Sequence, residues 1–134
     1  MRETQLTAKI VKQLCTFSRC YARKRHGSAY CVGEPDIYAC YGGGSVFIEV
    51  KMLDGALSTL QAIMLQRWQD AGALCVLAVW DPEQKALAIF HNKNWVAYTG
   101  PVKARVLRWE NKDYFNVRLA QLDEALEGMY ADAC

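Results

Sequence analysis

The pattern of apolar and polar positions predicts three helices. Residues 3–17 form the first, with an apolar face at helical spacing made of Leu6, Ile10, Val11, Leu14 and Phe17. Residues 59–71 form the second, which ends before Gly72, a residue type favoured just after a helix. Residues 119–130 form the last, with an inward face made of Leu122, Leu126 and Met129.

Four apolar runs predict β-strands. Residues 36–41 and 46–52 flank a triple glycine, which is typical of an antiparallel hairpin. The continuous apolar run at residues 73–81 suits a strand buried on both faces. A further strand is predicted at residues 85–91, after an Asp-Pro turn.

The order of these elements predicts one α/β domain over residues 1–134. The strand–helix–strand passage from Val46 to Val79 should form a right-handed crossover with parallel strands. Hairpin and crossover then share a mixed β-sheet that is flanked by helices. The polar and basic residues 18–35 are interpreted as a loop, while residues 92–116 match no template.

Composition favours a cytoplasmic protein with no membrane partner. Apolar residues make up 52% of the chain and charged residues 22%, as in soluble globular proteins. The chain contains no run of about 18 apolar residues that could span a membrane. Its first residues, MRETQLTAKI, lack the apolar core of a signal peptide.

The six cysteines are interpreted as free thiols, because disulfides need an oxidising compartment. An alternative is a zinc-stabilised module that uses Cys15, Cys20, Cys31 and Cys40. Paired zinc-ligand spacing is weak here, since only Cys15 and Cys20 lie close together in the sequence.

Positive charge is concentrated near the N-terminus. The net charge is +2, but residues 1–30 contain seven Lys or Arg and one acidic residue. Such a flank suits a polyanion, because phosphate contacts supply most non-specific affinity. The residues predicted to bind such a polyanion are Lys9, Lys12, Arg19, Arg23, Lys24 and Arg25. The alternative is a solvated helix face followed by a basic loop.

Two acidic residues interrupt the predicted hairpin strands. A two-residue loop sets Asp36 opposite Glu49, and a three-residue loop sets it opposite Val50. Opposite β-carbons are roughly 5 Å apart. Two carboxylates at that distance repel by roughly 3 kcal/mol at an effective dielectric near 20. A divalent cation such as Mg²⁺ or Mn²⁺ would turn this repulsion into ligation.

Lys51 is predicted to share a strand face with Glu49, because side chains alternate along a strand. An ammonium there could orient a water molecule or stabilise charge on a phosphate. The alternative is an exposed strand face that carries a Glu–Lys ion pair.

These residues resemble the motif of the PD-(D/E)xK nuclease superfamily. The pattern here is Pro35-Asp36, twelve residues, then Glu49-Val50-Lys51. More closely, GEPDIY, FIEVKM and LSTLQAIMLQRWQDAGALCVLAV look like the virus-type replication–repair nuclease domain, VRR-NUC. The resemblance covers residues 3–80, and residues 81–134 would be a C-terminal extension of the same domain. It implies a restriction-endonuclease-like core and no nucleotide cofactor.

The resemblance also implies roles for single residues. Asp36, Glu49 and the Val50 carbonyl would bind the metal, and Lys51 would contact the attacking water or the scissile phosphate. Gln61 would support the site from the covering helix.

Two candidates have structural alternatives. The resemblance implies that Glu3 assists the metal through water, but an acid at a helix N-terminus is also favoured by the helix dipole. Gln61 also completes a capping box with Ser58. His26 and His91 are expected to have no catalytic role.

The predicted function is therefore metal-dependent DNA endonuclease activity. Compact members of the family, common in phages and bacteria, resemble Holliday-junction-cleaving enzymes and act as homodimers. Degradation of foreign DNA is one alternative, and a non-catalytic nucleic-acid-binding module is another. The aromatic residues of the tail could cover a dimer interface or pack in the core: Trp95, Tyr98, Trp109, Tyr114 and Phe115.

Overall fold

The computed structural model describes residues 1–25, 32–107 and 114–133. The strands in these ranges are β1 (Cys20–Lys24), β2 (Ile37–Tyr41), β3 (Gly44–Met52), β4 (Ala56–Leu57), β5 (Leu74–Asp81), β6 (Ala86–Phe90), β7 (Gly100–Pro101) and β8 (Tyr114–Val117). The helices are α1 (Glu3–Leu14), α2 (Thr59–Asp70), α3 (Val102–Leu107) and α4 (Leu122–Ala133). Short 3₁₀ turns occur at Trp95–Tyr98 and Leu119–Gln121.

The described strands form one mixed sheet of six, in the order β1-β2-β3-β5-β6-β8, and a separate pair of β4 with β7. Strands β3 and β5 are parallel, whereas the other neighbours in the large sheet are antiparallel. This arrangement confirms the predicted mixed sheet with a hairpin and a parallel crossover. No helix in the described ranges is long and apolar enough to cross a membrane.

The hairpin between β2 and β3 has the two-residue loop. Tyr41 lies opposite Gly44, and the register continues to Ile37 opposite Ile48. Gly42 and Gly43 have φ values of 57° and 87°, a left-handed conformation that the tight hairpin turn requires and glycine adopts without strain. The same register, continued by one residue, sets Asp36 opposite Glu49.

Side chains of β3 alternate between two apolar layers on opposite faces of the sheet. Val46, Ile48 and Val50 are buried with the apolar faces of α1 and α4. Phe47 faces the other way, toward α2 and the 3₁₀ turn at Trp95–Tyr98. The sheet therefore lies between two layers of helices, and α2 covers the face that carries Glu49 and Lys51.

The tail contributes to the core beneath α2. Trp95 is fully buried, and its ring N–H donates to Gln69 Oε1 at 2.9 Å. Tyr98 is buried beside it. For these two residues the core alternative is confirmed. Trp109 and the side chains of Tyr114 and Phe115 lie outside the described residues.

The prediction of a loop across residues 18–35 was wrong for residues 20–24, which form β1. In this edge strand only Ala22 is buried, so no alternating apolar pattern marks it. Helix α1 ends at Leu14 rather than at residue 17, and α4 begins at Leu122, after a 3₁₀ turn. Residues 92–116 contain short elements that were not predicted, including α3 and the start of β8.

Candidate active site

The side chain of Asp36, just before β2, forms a hydrogen bond with the main chain near the end of β3. It follows the buried Pro35, and its Oδ2 accepts a hydrogen bond from the Val50 N–H at 2.8 Å. The N–H and C=O of one strand residue point to the same side of the strand. The Val50 carbonyl is therefore expected on the side of β3 where the Asp36 carboxylate lies.

Glu49 is buried beneath α2, with 1% of the residue exposed. Its Oε1 accepts a hydrogen bond from Gln61 Nε2 at 3.2 Å and lies 3.9 Å from Lys51 Nζ. Its Oε2 is buried without a hydrogen-bond partner among the described residues. A buried carboxylate oxygen with no donor is costly, and such an atom calls for a ligand or a proton.

The pKa of Glu49 is raised to about 9, first by burial and then by the charge of the nearby Asp36 carboxylate. Lys51 opposes the rise, and Glu3 adds to it. At neutral pH and without a cation, Glu49 therefore holds a proton. A cation that binds both carboxylates must displace this proton.

Lys51 reaches the site from the same face of β3 as Glu49, as the alternation of side chains predicted. Lys51 is 9% exposed, so its ammonium group lies at the edge of the buried site rather than in open solvent. The 3.9 Å separation from Glu49 Oε1 is an ion-pair distance and not a close hydrogen bond. The ammonium is therefore within reach of a further anionic group beside Glu49.

Gln61 combines the two roles that its sequence position allowed. Its Oε1 accepts from the Ser58 N–H at 3.0 Å, and its N–H donates to Ser58 Oγ at 3.1 Å, which closes a capping box at the start of α2. Its Nε2 donates to Glu49. One amide group thus fixes the helix start and one oxygen of the buried acid.

Glu3 is the first residue of α1, and it is half-buried at the margin of the same site. Burial raises the pKa of Glu3; Lys51 opposes this rise, and Asp36 and Asp54 add to it. Glu3 is therefore close enough to the site to act on its charges. A hydrogen bond from Glu3 to any of these side chains is not present.

Asp36, Glu49 and the Val50 carbonyl fit a divalent cation such as Mg²⁺ or Mn²⁺, because all three are hard oxygen donors. The orphaned Oε2 of Glu49 is the group that such an ion would satisfy. Across residues 1–25, 32–107 and 114–133, no group of three His, Cys, Asp or Glu side chains is arranged to hold a metal. The site thus offers two carboxylates, with water to complete the shell, as Mg²⁺ accepts.

The absence of a three-ligand group among the described residues also bears on the zinc alternative. Cys15, Cys20, Cys40 and Cys75 are free thiols. Cys31 and Cys134 lie outside the described residues, as does His26. The described cysteines therefore provide no zinc centre.

The six basic residues, which the nuclease resemblance predicts to bind DNA, lie in different places. Lys9 and Lys12 are exposed on α1, and Lys24 lies opposite Ile37, next to the Asp36 end of β2. Arg23 is exposed opposite Tyr38. The main chain of Arg19 contacts Gly42 at the far end of β2, roughly 20 Å along the strand from Asp36.

Arg25 has an internal role that the sequence did not reveal. Its Nε donates to the Pro35 carbonyl at 2.8 Å and its Nη2 to the Glu34 carbonyl at 2.7 Å. Its N–H also donates to the Asp36 carbonyl at 2.8 Å. This arginine therefore fixes the segment that carries Asp36. The sequence does not indicate this role, because nothing in the run Arg23-Lys24-Arg25 distinguishes one basic residue from the next.

Comparison with known proteins identifies the fold. No family model and no curated protein matches the chain. A solved structure, that of Archaeoglobus fulgidus Hjc, a Holliday junction resolvase from an archaeal hyperthermophile, is similar with a TM-score of 0.55 and 24% identity. The similarity covers 68% of this chain and 73% of the resolvase. The chain therefore has the restriction-endonuclease-like core that its sequence predicted, a mixed sheet flanked by helices.

Proposed function

We propose that this chain is a metal-dependent DNA endonuclease of the PD-(D/E)xK type, with a preference for Holliday junctions or other branched DNA. The observation that carries the proposal is the buried Glu49 carboxylate, which has an unsatisfied oxygen, faces Asp36 and lies 3.9 Å from Lys51. A purely structural acid would be fully paired or exposed. The likeness to the fold of a Holliday junction resolvase supports the same conclusion.

In this proposal Asp36, Glu49 and the Val50 carbonyl hold the cation, which is Mg²⁺ or Mn²⁺. When bound, the ion supplies Lewis acidity toward a phosphate oxygen and toward the attacking water. Asp36 is fixed by the Val50 N–H and Glu49 by Gln61, so neither carboxylate must reorganise when a substrate arrives.

Lys51 is the catalytic cation of the protein itself. Its ammonium stabilises the negative charge that develops on the phosphate, or orients the water that attacks phosphorus. The attack breaks one P–O ester bond and leaves a phosphate monoester and an alcohol. Glu3 assists from the margin of the site through water, in agreement with its electrostatic coupling to Lys51 and Asp36.

The basic residues Lys9, Lys12, Arg23 and Lys24 hold the DNA backbone in this proposal, and Arg19 extends the contact toward the turn of the hairpin. One active site cuts one strand, so paired incision of a junction needs two subunits related by two-fold symmetry. The proposed active form is a cytoplasmic homodimer of phage or bacterial origin. No base-reading helix is evident in the described elements, so selectivity comes from the shape of the DNA.

A comparison of substrates tests this function. Labelled four-way junction, flap, linear duplex and single-stranded DNA are incubated with Mg²⁺, Mn²⁺ or EDTA. The wild type is compared with Asp36→Asn and with Glu124→Gln, a matched carboxylate change on the exposed side of α4. We expect metal-dependent cutting of the junction by the wild type and Glu124→Gln only.

Other outcomes select other functions. Equal cutting of every substrate keeps the chemistry but favours degradation of foreign DNA over junction cleavage. Binding of DNA without any cutting by folded protein favours the non-catalytic module and contradicts the proposed function.

A further inference from the structure

A groove of about 460 Å³ lies beside the candidate active site, on the face of the sheet that α2 covers only in part. Aromatic side chains and one arginine form much of its lining: Tyr21, Arg23, Tyr38, Phe47 and Trp68. The volume lies within the range of about 300–1,000 Å³ of ordinary ligand pockets. Unlike Trp95 and Tyr98, these rings line a surface that solvent reaches.

Three of the rings are held in a fixed arrangement. The Tyr38 and Phe47 rings meet edge to face, with centroids 5.1 Å apart, and the Phe47 and Trp68 rings lie 4.6 Å apart. The Trp68 ring N–H donates to Glu34 Oε2 at 2.6 Å, which anchors the wall of the groove to the segment before Asp36. A flat ligand therefore meets a preformed aromatic surface.

The outer wall is exposed. Tyr21 projects from the edge strand β1 with 65% of its surface accessible, the same face of β1 that carries Arg23. A large, exposed ring on an edge strand has no evident role in the core. Tyr21 is therefore available for a ligand, and Arg23 beside it provides a cation for a phosphate or for stacking on a base.

The groove is continuous with the proposed catalytic pair. Phe47 and Glu49 are two residues apart on one face of β3, a distance of roughly 7 Å along the strand. A nucleotide whose phosphate lies at Glu49 and Lys51 would thus have the aromatic surface within reach of its base. The described lining includes a cation and no acidic side chain, which matches a polyanion.

We infer that this groove binds an unpaired base of the DNA strand next to the scissile phosphate. The inference rests on the proposed nuclease function and defines the substrate more narrowly. Aromatic rings with a neighbouring arginine bind unstacked bases with little regard to sequence. Bases in an intact duplex are stacked on their neighbours and cannot enter, so the groove favours DNA with unpaired nucleotides at a branch or an end.

The binding test uses EDTA, so it needs no catalysis. Fluorescence anisotropy compares the affinity of the protein for a short fluorescein-labelled oligothymidine and for an abasic oligonucleotide of equal length. Tyr21→Ala removes the exposed ring, while Tyr21→Phe keeps it. The control is Val96→Ala, a truncation of another exposed apolar residue, outside the groove.

We expect Tyr21→Ala to weaken binding of oligothymidine by about 5- to 150-fold, the range for loss of one stacked base. Tyr21→Phe and Val96→Ala should bind like the wild type. The abasic probe should bind weakly to every variant and should not distinguish them. Because the comparison is between two probes, loss of folding would show as equal weakening on both and would be detected separately by circular dichroism.

Equal affinity of wild type and Tyr21→Ala for oligothymidine would overturn the inference. A shift of Tyr21→Ala from dimer to monomer in sedimentation, with unchanged DNA affinity, would also overturn it and assign the groove to a second copy of the chain. If no substrate is cut but the base-dependent binding is lost in Tyr21→Ala, the groove stands as a DNA site and only the proposed chemistry fails.

Discussion

Glu49 has the most unusual environment among the charged residues of the site. It is buried, one of its oxygen atoms lacks a donor, and a second acid lies beside it. The raised pKa means that folding favours the protonated form. Without a cation, Glu49 stabilises the fold fully below its unfolded pKa of 4.5, and this stability is lost as the pH rises toward about 9.

We therefore expect the melting temperature of the metal-free protein, measured in EDTA, to fall between about pH 5 and pH 9. Glu49→Gln should flatten this part of the profile, since an amide does not titrate, and should be the more stable protein at the alkaline end. Glu124→Gln should keep the wild-type slope. Parallel profiles for wild type and Glu49→Gln would show that Glu49 is ionised throughout.

Substitution of Ser58, the capping partner of Gln61, can separate the two roles of Gln61, which are capping α2 and holding Glu49. Ser58→Ala removes the cap but leaves the amide free to hold Glu49, so we expect a loss of about 1 kcal/mol in unfolding free energy and little change in cleavage. Gln61→Ala removes both contacts. It should lose a similar amount of stability and, in addition, most of the cleavage rate.

Urea unfolding and single-turnover cleavage of both variants measure these effects. If Ser58→Ala and Gln61→Ala lose cleavage equally, the amide acts only through the start of α2.

At the scale of elements, the connection between β1 and β2 depends on Arg25. Its planar group binds two carbonyl oxygens at once, which a lysine cannot do. Arg25→Lys keeps the charge but loses the two simultaneous hydrogen bonds, so we expect a loss of about 2–3 kcal/mol in unfolding free energy. We also expect slower cleavage, because Asp36 is less firmly held.

Arg23→Lys is the matched control for Arg25→Lys, because its side chain is exposed. It should change the stability by less than about 0.5 kcal/mol. Wild-type stability of Arg25→Lys, measured by urea unfolding, would contradict the internal role of Arg25 and return it to the DNA-binding set.

Much of the element order could be predicted from the sequence where burial leaves a pattern. The triple glycine predicted the hairpin and limited its register to two alternatives, of which the structure has the two-residue loop, and the apolar run before Asp81 predicted β5. Strand β1 was not predicted, because an edge strand with one buried residue has no alternation of apolar and polar residues. The sequence predicted the facing acids and Lys51. The hydrogen bonds from Arg25 to the Glu34 and Pro35 carbonyls, and the hydrogen bond from Trp68 to Glu34, depend on tertiary packing, so no sequence pattern indicates them.

At the scale of the whole molecule, the positive charge of the N-terminal region bears on the proposed binding of DNA. Lys24 lies at the Asp36 end of β2 and is exposed. We expect Lys24→Ala to weaken DNA binding at low salt and to lower the slope of log affinity against log salt by about 0.9, the value for one lost phosphate contact. Cleavage of DNA at saturating protein should change little.

The control for Lys24→Ala is Lys93→Ala, an exposed lysine after β6 that is not among the predicted DNA-binding residues. Fluorescence anisotropy over a range of salt concentrations measures both slopes. Equal slopes for the two variants would remove Lys24 from the DNA-binding surface.

The most direct test of the proposed nuclease function is the rate of Mg²⁺-dependent cleavage of a labelled four-way junction by Lys51→Ala, measured under single-turnover conditions beside Lys93→Ala. We expect Lys51→Ala to be slower than the wild type by about 10²–10³-fold, as for loss of one group that stabilises a transition state. Lys93→Ala should retain the wild-type rate. Cleavage by Lys51→Ala at the rate of Lys93→Ala would contradict the assignment of the active site to Asp36, Glu49 and Lys51.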